Sequence, residues 1–170
     1  MQIQTKKTLS ALAVCLPFVV AYFMPIQPNA FTYTFVHANI FHLVANMWAL
    51  FMFTKYAGNK ETLVCFVIGG YIASMVSYSL YGGDYHSVVG ASGFVFGIVG
   101  MYLIFRYRGL NNPDMYKSGL FISIVVFLAV GLFIPSIAGL LHIYALVDGM
   151  LIGYMLILAQ RFLRNLQQYM

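Results

Sequence analysis

Apolar residues along this chain gather into six long stretches, at about 8–24, 39–53, 63–80, 88–105, 119–134 and 140–159. Polar, Pro- or Gly-containing breaks separate them. Each stretch is near the ~17–25 residues that a helix needs to cross about 30 Å of hydrocarbon, the two shortest by borrowing flanking residues. The pattern predicts an all-α polytopic membrane protein, with residues 1–170 forming a single six-helix membrane domain.

Composition leaves little room for a soluble alternative. Hydrophobic residues make up 62% of the chain and charged ones 8%, with a mean hydropathy of +0.85. A fold of this size exposes too much surface to hide so much apolar area from water. Lys6-Lys7 ahead of the first stretch resembles the start of a signal peptide, but Met24 to Ala30 offers no small-x-small cleavage site. The first stretch therefore reads as a retained span.

The net charge of +5 takes its meaning from its distribution. Lys6 and Lys7 precede helix 1, Lys55 and Lys60 join helices 2 and 3, Arg106, Arg108 and Lys117 join helices 4 and 5, and Arg161 and Arg164 follow helix 6. The alternate connections hold no Lys or Arg. This is the positive-inside pattern, so both termini are expected in the cytoplasm, and nucleic-acid binding is not expected. Cys15 and Cys65 lie mid-stretch without CxxC spacing and read as small apolar side chains rather than a disulfide or metal pair.

A few polar residues interrupt the apolar stretches, and they converge in depth. Counted from the basic residue at the cytoplasmic end of its helix, Ser92 lies about 21 Å in, His142 about 28 Å, His42 about 20 Å and Asn46 about 14 Å. His42 and Asn46 are an i, i+4 pair on one helix face, with His37 just ahead of them. Gly93 and Gly97 on helix 4, and Ala145, Gly149 and Gly153 on helix 6, form small-residue stripes that let helix backbones approach. Gly149 shares a helix face with His142, so packing helix 4 there brings Ser92 within reach of the histidine.

Serine and histidine together are a nucleophile and its base, and inside a bilayer both are costly without partners. Each has a bland alternative. Gly90-Ala91-Ser92-Gly93 can be simple helix-packing sequence, and with Phe94 next it is not the nucleophile elbow of α/β-hydrolases. His42 and Asn46 suit either interhelical hydrogen bonding or donation to an oxyanion beside Ser92. His37, His42, His86 and His142 lack HExxH or any comparable zinc spacing, and no metal is expected. Asp148 is six residues from His142, on a different face, which suits a hydrogen-bonded structural role better than that of a triad aspartate.

Taken together, His37-Ala38-Asn39-Ile40-Phe41-His42-Leu43-Val44-Ala45-Asn46, Gly90-Ala91-Ser92-Gly93 and His142 with its small-residue stripe resemble the rhomboid intramembrane serine proteases. The resemblance runs from His37 to about Gly153. It implies a six-helix bundle with a Ser–His dyad in a hydrated cavity open to the extracytoplasmic side. Ser92 would be nucleophile and His142 general base. His42, Asn46 and the Ser92 backbone N–H would form the oxyanion hole. His37 and Gly90 would be structural neighbours of the site, and Phe96 would place its ring against the histidine. The family implies cleavage of transmembrane protein substrates within the lipid bilayer, no cofactor, and here the plasma (inner) membrane of a bacterium. A non-catalytic member that binds or escorts transmembrane segments is the alternative. A transporter using Asp148 and the histidines would need polar residues along the whole bundle axis. The chain departs from the family in its short helix 1–2 connection without a Trp-Arg pair, in the helix 2 end at 55–59, and at Ala145 and Leu141.

Overall fold

In lipid a backbone must satisfy its own hydrogen bonds, and apolar runs with few breakers do so as helices. The computed structural model describes residues 2–55, 60–81, 88–107, 120–133 and 138–168. Among these it has six α-helices: α1 (Gln2–Tyr22), α2 (Ile40–Lys55), α3 (Lys60–Tyr81), α4 (Ser92–Tyr107), α5 (Leu120–Phe133) and α6 (Gly139–Gln168). A 3-10 turn at Tyr33–Phe35 lies between α1 and α2, and no strand occurs among the described residues. His86, Arg108 and Lys117 lie outside the described residues.

The helix ends differ from the sequence expectation in informative ways. α1 begins six residues earlier than the apolar stretch, at Gln2. α4 starts at Ser92 rather than near Val88, because Gly90 has a φ of +117°, a left-handed conformation that no helix continues through. α2 starts where Asn39 Oδ1 accepts the His42 N–H at 2.9 Å, an N-cap bond to the third helical residue. Two helices, over Glu61–Leu80 and Gly139–Gln167, have the length and apolarity to cross a bilayer, while Ile40–Lys55 and Ser92–Phe105 are shorter apolar helices.

α4 is the axis of the bundle. Phe94, Val95, Phe96, Ile98, Val99, Met101, Tyr102 and Phe105 are all buried, so apolar side chains cover this helix on every side. It packs most closely on α6 and then on α3. Pairings of Ser92 with His142, Gly97 with Gly149 and Met101 with Gly153 show that α4 and α6 run parallel. Ser77 with Asp148 and Gly69 with Ile152 set α3 antiparallel to α6. The outer helices present Leu9, Leu12, Leu16, Phe41 and Trp48 outward, an apolar exterior suited to lipid.

Candidate active site

The segment between α1 and α2 is built by local hydrogen bonds. Asn29 Oδ1 accepts the N–H groups of Phe31 and Thr32, and Thr32 Oγ1 donates to Gln27 O at 2.6 Å. This turn delivers Tyr33, which is buried and stacked on Tyr78 at 4.3 Å. The Tyr33 hydroxyl lies 2.7 Å from Ser74 Oγ on α3, and the Tyr33 carbonyl accepts the Gly90 N–H at 3.0 Å. His37 holds the next residue, with its Nε2 accepting the Ala91 N–H at 3.3 Å and its Nδ1 lying 3.2 Å from Phe35 O. One backbone donor and one backbone acceptor fix His37 as the neutral Nδ1–H tautomer. Burial, and then the neighbouring His42, push its pKa down to about 4 against the opposing pull of the Phe35 carbonyl. Two consecutive residues ahead of Ser92 are thus anchored to one strap.

Gly90 is required for space as well as for its φ. A Cβ there would sit 2.5 Å from Cε1 and 2.6 Å from Nε2 of His42, and 3.2 Å from Nδ2 of Asn46. The two side chains of α2 therefore converge on the backbone just before Ser92. The Asn46 Nδ2 is buried with no hydrogen-bond partner among the described residues. An unpaired buried amide costs about 1–3 kcal/mol, a cost that no contact among the described residues offsets. Ser92 opens α4, where first-turn N–H groups have no carbonyl four residues back to receive them. Side-chain and backbone donors therefore share one small volume.

Ser92 Oγ lies 2.7 Å from His142 Nε2. The histidine is 3% exposed, and the Phe96 ring stacks on it at 4.8 Å with 28° between planes. The pair meets because α4 and α6 touch through their backbones. A Cβ on Gly149 would run into the Gly97 carbonyl, and one on Gly100 into the Leu146 carbonyl. The expected stripe on α4 is turned relative to this contact. Gly93 and Gly97 direct their Cα hydrogens toward Tyr33 and α3, where Gly70 and Ala73 lie, and Gly100 supplies the face toward α6. A three- and a four-residue step diverge round a helix, so the spacing marked close approach without naming the partner.

Asp148 accepts a 2.7 Å hydrogen bond from Ser77 of α3 and so links α3 to α6. His142 Nδ1 has no hydrogen-bond partner among the described residues. Among those residues no three His, Cys, Asp or Glu side chains gather as a metal site. Cys15 and Cys65 are free thiols, the first buried and the second half-buried.

A cavity of about 480 Å³ lies against the site, between α2 and α5. His42, Asn46 and Ser92 provide its polar wall, and Trp48, Ile124 and Phe127 part of its apolar one. Tyr33, Ser77 and Phe127 were not singled out by sequence reasoning. Tyr33 sits in a connection with no periodicity, Ser77 is one hydroxyl in an apolar helix, and Phe127 is one aromatic in an apolar run. Only the stripe Gly69–Gly70–Ala73–Ser74–Ser77 carried a signal that this face of α3 packs closely.

Comparison with known proteins agrees in its extent with this geometry. Residues 28–159 match the Rhomboid domain family. A protein of Bacillus subtilis (strain 168) named "Putative rhomboid protease YdcA" is 28% identical over 128 residues, 71% of this chain and 62% of that protein. The chain thus spans about 62% of the length of the curated relative it matches. The family match takes in the strap, the α2 pair, the α4 serine and the α6 histidine, and the chain belongs to the rhomboid family, whose members are embedded in the membrane.

Proposed function

We propose that this protein is an intramembrane serine protease that cleaves peptide bonds in or near transmembrane segments of other membrane proteins. The observation that carries the reading is the 2.7 Å contact between Ser92 Oγ and His142 Nε2. His142 takes the hydroxyl proton as Ser92 Oγ attacks the peptide carbonyl, and it returns that proton to the leaving amine. The acyl-enzyme that remains is hydrolysed by water, activated by the same histidine. Charge developing on the carbonyl oxygen is met by Asn46 Nδ2, His42 and the Ser92 N–H. Donors of this kind are each worth about 2.7–4 kcal/mol of barrier in soluble proteases. The cavity between α2 and α5 admits an extended substrate segment to Ser92. The reaction calls on no metal or cofactor. The chain crosses the plasma membrane of a bacterium six times, with both termini in the cytoplasm.

Labelling of the purified protein with a fluorophosphonate, read by intact mass and peptide mapping, tests this directly. One adduct on Ser92 is expected, lost in His142→Ala. Ser92→Ala and His142→Ala are each expected to reduce cleavage of a transmembrane substrate by about a thousandfold or more. A folded protein with an accessible cavity and no adduct would move the assignment to a member of the family that binds transmembrane segments without cutting them.

A further inference from the structure

A general base must present one nitrogen in one direction, and a serine protease commonly secures this with a polar partner on the other nitrogen. His142 has no such partner on Nδ1 among the described residues. Aromatic rings surround the imidazole instead. Phe96 of α4 stacks on it at 4.8 Å, and Phe127 of α5 lies at 5.7 Å with 43° between planes. The two phenylalanines also touch one another, at 5.9 Å and 31°. Three rings from three helices close a triangle.

The two phenylalanines are not equivalent. Phe96 is 4% exposed and set in the most buried helix, so its position is fixed by the core. Phe127 is 42% exposed and belongs to α5, which packs chiefly on α6. Ser123, Ile124 and Phe127 are at i, i+1 and i+4, one face of α5, and all three line the cavity beside Ser92.

Resting on the protease reading, we infer that Phe127 is a positioning residue for His142, orienting the imidazole toward Ser92 in place of a polar partner. The ring that orients the base is also part of the wall that an incoming substrate touches. Occupancy of the cavity and alignment of the dyad are therefore coupled through one side chain of α5. Phe127 takes no part in bond making; it acts through the histidine.

The test uses the full chain in detergent, with the Phe127→Ala and Phe127→Tyr variants and Val126→Ala as a neighbour that lies outside the cavity. The rate of fluorophosphonate labelling of Ser92 is measured alongside the thermal midpoint. Labelling is expected to slow about tenfold in Phe127→Ala and to stay within about twofold of the parent in Phe127→Tyr and Val126→Ala, as loss and retention of an aromatic contact require. Modification of His142 by diethyl pyrocarbonate, followed by peptide mass, needs no activity. It is expected to be about tenfold faster in Phe127→Ala, again the scale of one ring contact. Equal labelling rates in Phe127→Ala and the parent, or equal losses in the Ala and Tyr variants, would overturn the inference. A parent protein that takes no label on Ser92 would remove the protease reading instead. In that case unchanged modification of His142 in Phe127→Ala would overturn the contact role independently.

Discussion

His37 bonds to backbone on both ring nitrogens, and this makes one protonation state part of the fold. The Ala91 N–H needs an unprotonated Nε2, so a proton there breaks the bond that anchors the residue before Ser92. Its pKa of about 4 lies below the ordinary 6.5. A depressed histidine contributes stability that is fully present above about 6.5 and is lost as pH falls toward 4. Lowering a pKa by one corresponds to about 1.4 kcal/mol. The thermal midpoint in detergent is therefore expected to drop between pH 6.5 and 4, and the drop to be shallower in His37→Gln; parallel curves for the two proteins would contradict this. Residues of this kind were legible in the sequence because polar groups are rare in an apolar chain. Ser92, His142, His42, Asn46 and His37 stood out for that reason. Asp148 stood out too, but its partner Ser77 is 71 residues away and one of several hydroxyls on α3. Tyr33 and Phe127 were invisible, since an aromatic side chain in an aromatic-rich chain announces nothing about what it touches.

Helices α4 and α6 meet backbone to backbone, so the distance between nucleophile and base is set by glycines rather than by packed side chains. Gly149 faces the Gly97 carbonyl and Gly100 faces the Leu146 carbonyl, with no room for a methyl group at either crossing. Gly149→Val is expected to push the helices apart, lowering the thermal midpoint and slowing Ser92 labelling by about a hundredfold, the scale of an ångström's misplacement. Labelling and melting indistinguishable from the parent protein would show that the crossing is not what holds the dyad together. The presence of close approach was readable from the small-residue stripes, and the six helices from hydrophobic runs. Which face of α4 met α6 was not readable. Nor was the start of α4, because a positive φ at Gly90 is a property of three-dimensional crowding by His42 and Asn46 rather than of local propensity.

Across the whole molecule, the parallel course of α4 and α6 and the antiparallel course of α3 bring the basic residues at the C-terminal ends of α4 and α6 and the N-terminal end of α3 to one end. Ser92 and His142, at the other ends of α4 and α6, are then on the far side. The proposed orientation predicts that a membrane-impermeant maleimide applied to intact cells labels Asn29→Cys, in a background with Cys15 and Cys65 replaced by alanine. Lys6→Cys and Arg164→Cys should react only after the membrane is opened, and early labelling at either would reverse the topology. The proposed orientation rests on the division of basic residues between alternate connections, a charge asymmetry written in the order of residues. The shortness of α2 was legible in its stretch of 39–53, whereas the late start of α4 was not, because Gly90 interrupts the stretch that begins near Val88.

α6 continues unbroken from Gly139 to Gln168. Its close crossing with α4 at Gly149 acts as a pivot with arms of unequal length. His142 lies about 10 Å from that pivot on one side and Gln168 about 28 Å on the other, at 1.5 Å per residue. A rigid rod so mounted works as a reducing lever: lateral displacement at the C-terminal tip reaches the imidazole about threefold smaller and reversed in direction. Moving Nε2 by the single ångström that would spoil proton transfer takes about 3 Å at the tip. Jostling of α6 near Gln168 is thus geared down before it reaches the base.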